Sequence, residues 1–339
     1  MPSNSTPKNR KTADIALQQQ IEDLAHGVSS NPFAVLGRHP DGRGDIVRVF
    51  FPDALEVMVV STPAKGLPLE QKMYRIHPHG VYSATIPKRS LRYFVRVRWA
   101  DGWQDVVDPY SFAKLLGDLD LHLFSEGRHH SPDEMMGAHC LEINGVKGVR
   151  FTVWAPNARR VSVIGDFNIW DGRRHPMRVR HGAGVWELFI PGLNAGERYK
   201  YEILSAEGKI LPAKADPYAR FAEKPPATAS RVAGPLAYEW HDADWMQKRG
   251  QRQAVNSPIS IYELHAPSWR LPDSGERFIS WSSLADALIP YIQELGFTHI
   301  ELLPITEYPF AGSWGYQPVS LYAPTARHGS PDDFAAFVD

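Results

Sequence analysis

Apolar positions along the chain change their period twice. Leu17, Ile21, Leu24 and Val28 recur at helical spacing and predict a short amphipathic helix over 13–27, with Gly27 placed for a left-handed cap. The period then drops to two. Tyr93, Val95, Val97 and Trp99 alternate with Phe94, Arg96 and Arg98, as a half-buried strand requires. After Trp245 the pattern changes again. Ser260–Leu264 reads as a strand, Leu284, Leu288, Tyr291, Ile292 and Leu295 mark one helix face that Gly296 ends, and Thr298–Leu303 reads as a second strand stopped by Pro304. Strand, helix and strand over so short a span predict a βαβ unit and a parallel sheet. Ser330-Pro331-Asp332-Asp333 supplies an N-cap, a proline at the first helical position and acids in the first turn, so another helix begins there.

The chain also resembles itself. Pro52-Asp-Ala-Leu-Glu-Val57-Met-Val59 returns 104 residues later as Pro156-Asn-Ala-Arg-Arg-Val161-Ser-Val163, and Gly80-Val-Tyr82 returns at the same offset as Gly184-Val-Trp186. Arg92-Tyr-Phe-Val matches Arg198-Tyr-Lys-Tyr, and Asp108-Pro-Tyr110 matches Asp216-Pro-Tyr218, in the same order. One unit is used twice, with small insertions. Short strands between turn signals make each copy an antiparallel β-sandwich. The expected organisation is a tail and short helix over 1–30, a first sandwich over 31–125 and a polar linker over 126–145. A second sandwich over 146–245 and a βα region over 255–339 complete it.

Composition narrows the class. A length of 339 residues fits two to three domains, and 43% hydrophobic with 22% charged residues is ordinary for a globular protein. A net charge of -1 gives no electrostatic reason to meet nucleic acid, and Lys8–Lys11 reads as a solvated tail. The single Cys140 forbids an internal disulfide and fits a reducing cytosol, so a cytoplasmic location is expected. The opening MPSNSTPKNRKT lacks the apolar core of a signal peptide, and no run approaches the roughly 20 apolar residues that span a bilayer. The 14 His show no ligand spacing, so neither a metal nor another cofactor is expected.

Gly148–Met177, GVRFTVWAPNARRVSVIGDFNIWDGRRHPM, resembles a family 48 carbohydrate-binding module. Ile261–Trp269 (IYELHAPSW), Gly296–Pro318 and Leu321–Phe334 resemble the start of the catalytic barrel of the 1,4-α-glucan branching enzymes of glycoside hydrolase family 13. The resemblance implies a multidomain chain: two tandem immunoglobulin-like β-sandwiches, then the first part of a (β/α)8 TIM barrel. It implies glycogen synthesis, in which an α-1,4 linkage is cleaved and the chain is transferred to a 6-hydroxyl. Such retaining chemistry uses a nucleophilic and an acid/base carboxylate about 5–5.5 Å apart. The family carries these after its fourth and fifth barrel strands, so no catalytic residue is expected before Asp339, and this chain alone is expected to be inactive. Glu263, Glu301 and Glu307 read as structural. The implied partner is an α-glucan, with neither nucleic acid nor membrane, and the complete enzyme is expected to be a monomer.

The same resemblance places SWGYQP, Ser313–Pro318, in the loop after the second barrel strand. Tyr316 matches the tyrosine that stacks on the sugar beside the cleaved bond. An aromatic plane holds the apolar C–H face of a pyranose without competing for its hydroxyls. Trp314 and Gln317 are candidates to join it, the alternative being that Trp314 and Tyr316 only plug the barrel mouth, and His265 reads as a hydrogen-bonded core histidine. Trp170, in the turn DFNIWDG, is the candidate glucan contact of the second sandwich, whereas Trp154 and Trp186 read as core. The first sandwich has Ser61-Thr-Pro-Ala-Lys-Gly66 in place of that turn, which suits a spacer. The alternatives are an isoamylase-type debranching enzyme, a trehalose-releasing hydrolase, or a non-catalytic glucan-binding protein. The tandem sandwiches and Gln317 favour branching over the first two, and the βα unit disfavours the third.

Overall fold

The computed structural model describes residues 7–42, 44–63, 65–88, 90–272 and 275–339, with side chains from Ile15 onward. They divide into two compact units, Met1–Lys214 and Ala215–Asp339.

The first unit opens with α1 (Pro7–Ala25), which starts earlier than the apolar spacing indicates. Ile21 and Leu24 are buried, and Gly27 takes a φ of +69° while donating its N–H to Leu24 O, so the helix closes at its left-handed residue. Eight strands follow: β1 (Gly37–Asp41), β2 (Gly44–Phe50), β3 (Glu56–Pro63), β4 (Leu69–Lys72), β5 (Tyr74–His77), β6 (Val81–Ile86), β7 (Ser90–Trp99) and β8 (Gly102–Val106). They form two sheets, ordered β1-β2-β6-β5 and β4-β3-β7-β8. Val47 and Val49 of one sheet share a core with Val57, Val59, Val95 and Val97 of the other, none more than 3% exposed. These are the inward positions of the period-two pattern, and each fully buried valine contributes roughly 1.5–3 kcal/mol.

The second copy comprises α2 (Asp118–Ser125), α3 (Pro132–Met135), β9 (Gly137–Ile143), β10 (Val146–Trp154), β11 (Ala158–Gly165), β12 (Arg178–Arg180), β13 (Val185–Pro191) and β14 (Arg198–Ser205). Its sheet β12-β13-β10-β9 repeats β5-β6-β2-β1 strand for strand, and β11 pairs with β14 as β3 does with β7. Individual hydrogen bonds repeat as well. Phe51 N–H donates to Gly80 O at 2.8 Å and Ala155 N–H to Gly184 O at 3.0 Å. Met73 reaches Val57 O, and Met177 reaches Val161 O, both at 2.8 Å.

The polar stretch Ser125–Gly145, expected as a linker, is instead the opening of this second copy. Ser131–His139 repeats Asn31–His39 at an offset of 100. Leu36 N–H donates to Pro32 O and Met136 N–H to Pro132 O, each at 2.8 Å. Gly37 and Gly137 sit at φ +90° and +92°, and His39 and His139 each bond the carbonyl three residues back. Even α2 ends as α1 does, with Gly127 at φ +67°. The repeated unit is therefore a helix, a turn and a sandwich. The first compact unit also ends at Lys214, well before the expected boundary at 245.

Inside that unit the chain leaving the first copy is fastened to the second. Asp108 Oδ1 accepts Tyr110 N–H at 2.9 Å, and Tyr110 Oη reaches Pro176 O at 3.1 Å. Farther on, Leu115 and Leu116 donate their N–H groups to the carboxylate of Glu187, at 3.1 and 3.0 Å. Glu187 is fully buried, and Arg178 and Arg180 neutralise it. Arg180 also binds Leu116 O and Asp118, both at 2.7 Å.

The second unit carries a short antiparallel pair, β15 (Phe221–Ala222) with β16 (Ser230–Arg231), then α4 (Ala243–Arg252), which buries none of its residues. Next come β17 (Ile261–Leu264), α5 (Ala266–Trp269), α6 (Trp281–Glu294), β18 (His299–Leu302) and α7 (Pro331–Val338). β17 and β18 are parallel, with Leu264 opposite Leu302. Ser280 caps α6 by accepting Ser283 N–H, and Ser330 and Asp333 form a capping box on α7. Leu264, Trp281, Leu284, Leu288 and Ile292 make the core, with Phe334 and Phe337 of α7 packed against it.

Candidate functional site

Two places display aromatic rings on a fixed backbone, one in each unit. In the first, β11 runs into a tight turn. Ile169 and Trp170 take φ values of +51° and +60°, two successive left-handed non-glycine residues. Asn168 holds them: its Oδ1 accepts Gly165 N–H, and its Nδ2 donates to Val163 O and to His175 Nδ1, each at 2.9 Å. That last bond requires a neutral imidazole, and burial lowers the His175 pKa to about 4. Trp170 donates its indole N–H to Asp166 at 3.0 Å, and Arg198 bonds the other oxygen of Asp166 and holds that carboxyl below its ordinary range. The indole is fixed yet 37% exposed.

In the second unit the stretch from Ile305 to Thr325 is a loop with a closed base. Thr325 N–H donates to Ile305 O, Glu307 N–H to Ala323 O and Val319 N–H to Glu307 O. Beneath it lies a buried ion pair: Glu307 binds Arg327 at 2.6 Å and accepts the N–H of Ala326 at 2.7 Å. The Arg327 guanidinium sits 3.7 Å from the centroid of the Tyr308 ring. Glu307 is thus held on both carboxylate oxygens. At the tip, Trp314 takes φ +54° and Gly315 φ +88°, and a Cβ on Gly315 would lie 2.3 Å from Pro304 O. Only glycine fits there. The tip presents Tyr316, 68% exposed, with Trp314 and Gln317 also on the surface.

His265 follows β17 as this loop follows β18, so both stand past the carboxyl ends of the parallel strands, where α/β folds build their sites. Its ring stacks on Trp314 at 5.1 Å. Nδ1 bonds Ser268, Nε2 is buried with no partner among the described residues, and burial lowers the pKa, so the ring is neutral near pH 7. The structure therefore joins His265 to Trp314 rather than leaving it in the core. No group of His, Cys, Asp and Glu among the described residues is arranged to hold a metal ion. No described helix is long and apolar enough to cross a membrane.

Comparison with known proteins relates the chain to described families. Residues 17–110 match the family model of the N-terminal domain of the alpha-1,4-glucan branching enzyme GlgB, and residues 135–219 match carbohydrate-binding module 48, the isoamylase N-terminal domain. The 1,4-alpha-glucan branching enzyme GlgB of Pseudomonas putida is 56% identical over 95% of this chain, and that of Pseudomonas fluorescens Pf-5 is 53% identical over 99%. Over nearly its whole length the chain matches the N-terminal portion of GlgB branching enzymes. It spans about half the length of these relatives, 44% and 46%. Among solved structures, the catalytic module of the glycogen-degrading pneumococcal virulence factor SpuA is 21% identical, covering 60% of this chain and 35% of its own, with a TM-score of 0.45. That likeness is too loose to argue from.

A further expectation fails in the second sandwich. Trp154 is 55% exposed instead of buried, and donates its indole N–H to Ala183 O. Val149, Phe151 and Val153 take the inward positions of β10, so the period of two turns Trp154 outward. Trp186, by contrast, is 2% exposed and bonds Ala155 O, much as Tyr82 in the first copy bonds Ala54 O. Sequence reasoning also missed the buried Glu187. A charge inside VWELFIP looks outward-facing until the Leu115–Leu116 segment is seen to cover it.

Proposed function

We propose that this chain supplies the glucan-holding modules and the first catalytic loop of a 1,4-α-glucan branching enzyme, which cleaves α-1,4 linkages and transfers the released chain to a 6-hydroxyl with retention. The observation that carries this reading is Tyr316: an exposed ring on a base-closed loop past the ends of two parallel strands, in a chain aligned with GlgB enzymes throughout. In this reading β17, α6 and β18 begin a (β/α)8 barrel. Parallel strands are ordinarily covered on both faces, yet Ile261 is 52% and Ile259 67% exposed, as suits strands that further βα units would cover. Glu307 is committed to Arg327, so the two carboxylates of the retaining reaction are assigned to the further length that the relatives possess. Trp170 holds glucan on the second sandwich. The enzyme works as a cytoplasmic monomer, without nucleic acid or membrane.

The test is a chimera in which residues 1–339 replace the corresponding part of the Pseudomonas putida enzyme. Tyr316→Ala is expected to lower kcat for branching of amylose by roughly a hundredfold, through lost positioning of the reacting sugar. Tyr316→Phe is expected to keep most of the activity. An unchanged kcat in Tyr316→Ala would sink the assignment.

A further inference from the structure

The two copies in the first unit leave a cleft of about 710 Å3 between them. Its walls come from the ends of β2, β7 and β8 on one side, and on the other from the β9–β10 turn, the end of β13 and the segment after β11 that carries Phe167, Asn168, Arg174 and His175. The volume lies within the roughly 300–1,000 Å3 of small-molecule sites. Trp99 stands in one wall, its indole N–H bonded to Gln104 Oε1 at 2.9 Å, which leaves the amide nitrogen of Gln104 uncommitted among the described residues. Most charge in the walls is already matched: Arg174 binds Asp53 and Asp171, and Asp105 binds Arg96. Lys147 alone adds a cation without an ion pair among the described residues. A nucleotide or sugar phosphate brings two or more negative charges and would meet one free cation. A neutral chain of hydroxyls with apolar ring faces meets what is there: an indole, an amide and an ammonium donor.

We propose that this cleft binds a linear α-1,4-glucan segment, as a second glucan site that adjoins the Trp170 turn through Phe167, Asn168 and His175 but does not use the Trp170 indole. The proposal rests on the glucan reading above and adds that the first copy takes part in holding substrate. Hydrogen exchange of the full chain with maltoheptaose, in the parent and in Trp170→Ala, tests it. Slower exchange is expected over residues 104–106, 145–147 and 190–193 in both proteins. In the Trp170→Ala background, Gln104→Ala combined with Lys147→Ala is expected to weaken maltoheptaose binding about tenfold, through two lost hydrogen bonds, with no change in urea midpoint. Protection confined to residues 169–172, none of which lines the cleft, would overturn the cleft and leave the glucan reading standing. Protection nowhere would overturn both, and an unchanged affinity in the combined variant would overturn the cleft.

Discussion

The two copies share strand order, turn glycines and individual hydrogen bonds, yet they place charge differently. In the first, Arg96 reaches Glu70 and Asp105 across the open face of its sheet, all in contact with water. In the second, Glu187 with Arg178 and Arg180, and Arg160 with Glu202, lie largely inside. One backbone thus serves two purposes. Where a sheet faces solvent, charges keep it soluble and contribute little. Where it receives another segment, a charge can fix that segment's position, and removing one partner then leaves the other buried and unpaired. The position equivalent to Glu187 in the first copy is Ser83, a half-buried residue that carries no charge to hold such a segment.

The largest expected effect follows directly. Glu187→Ala should destabilise the first unit by about 3–5 kcal/mol, leaving two arginines and two amides without their acceptor, while Ser83→Ala should leave the urea midpoint almost unmoved. Equal effects in the two variants would mean the copies are energetically alike.

A smaller effect separates two buried groups at the junction. Burial is the main reason that the Asp108 carboxyl rises from 3.8 to about 6, although Tyr93 and Tyr110 donate to it. The folded state therefore holds the proton more tightly than the unfolded chain, and stability falls as pH rises from about 4 to 6. His175 acts oppositely: with its pKa lowered to about 4, the unfolded chain binds more protons between about 4 and 6.5, so stability rises across that window. Asp108→Asn should leave the His175 contribution exposed. Relative to the parent, the variant should gain up to about 3 kcal/mol between pH 4 and 6, read from urea denaturation at both pH values. A constant difference would show that Asp108 stays ionised throughout.

Removing Asn168 should act on the turn alone. Asn168→Ala should cost about 1–3 kcal/mol by stranding the buried N–H of Gly165, and should reduce retardation in glycogen-containing native gels, since the indole of Trp170 loses its fixed setting. Retardation equal to the parent would separate Trp170 from glucan. Least of all, Asp105→Asn in the first copy should leave the urea midpoint where it was.

Much of this architecture was legible in the sequence, because side-chain period and turn glycines are local. Val57, Val59, Val95 and Val97 announced their sheet, and the Pro52/Gly80 and Pro156/Gly184 pairs announced the duplication. The packing explains why those pairs recur: a Cβ on Gly80 would lie 2.4 Å from Pro52 Cα, and one on Gly184 would lie 2.6 Å from Pro156 Cβ. The earlier part of the repeat stayed hidden because little more than Gly27/Gly127, Pro32/Pro132, Gly37/Gly137 and His39/His139 survives in it, scattered among changed residues. Those four set a helix end, a helix start, a left-handed turn and a carbonyl contact, so backbone geometry persisted where composition did not. Of the site, Trp170, Trp314 and Tyr316 could be picked out as aromatics in turn-rich stretches. The closed base under Tyr316 could not, since Ile305 and Thr325 meet only through folding.

The fastening of Leu115 and Leu116 onto Glu187 also redraws where one building block stops and the next starts. Alignment would cut the second module free near residue 135, where its family match begins. A protein cut there would keep all its own strands but lose the two amides that Glu187 accepts, and the carbonyl and carboxylate that Arg180 holds. Its exposed groove would hold the Glu187–Arg178–Arg180 cluster with part of its hydrogen bonding missing. A transplantable version therefore begins near Asp108, carrying with it a strip of chain that by descent belongs to its neighbour.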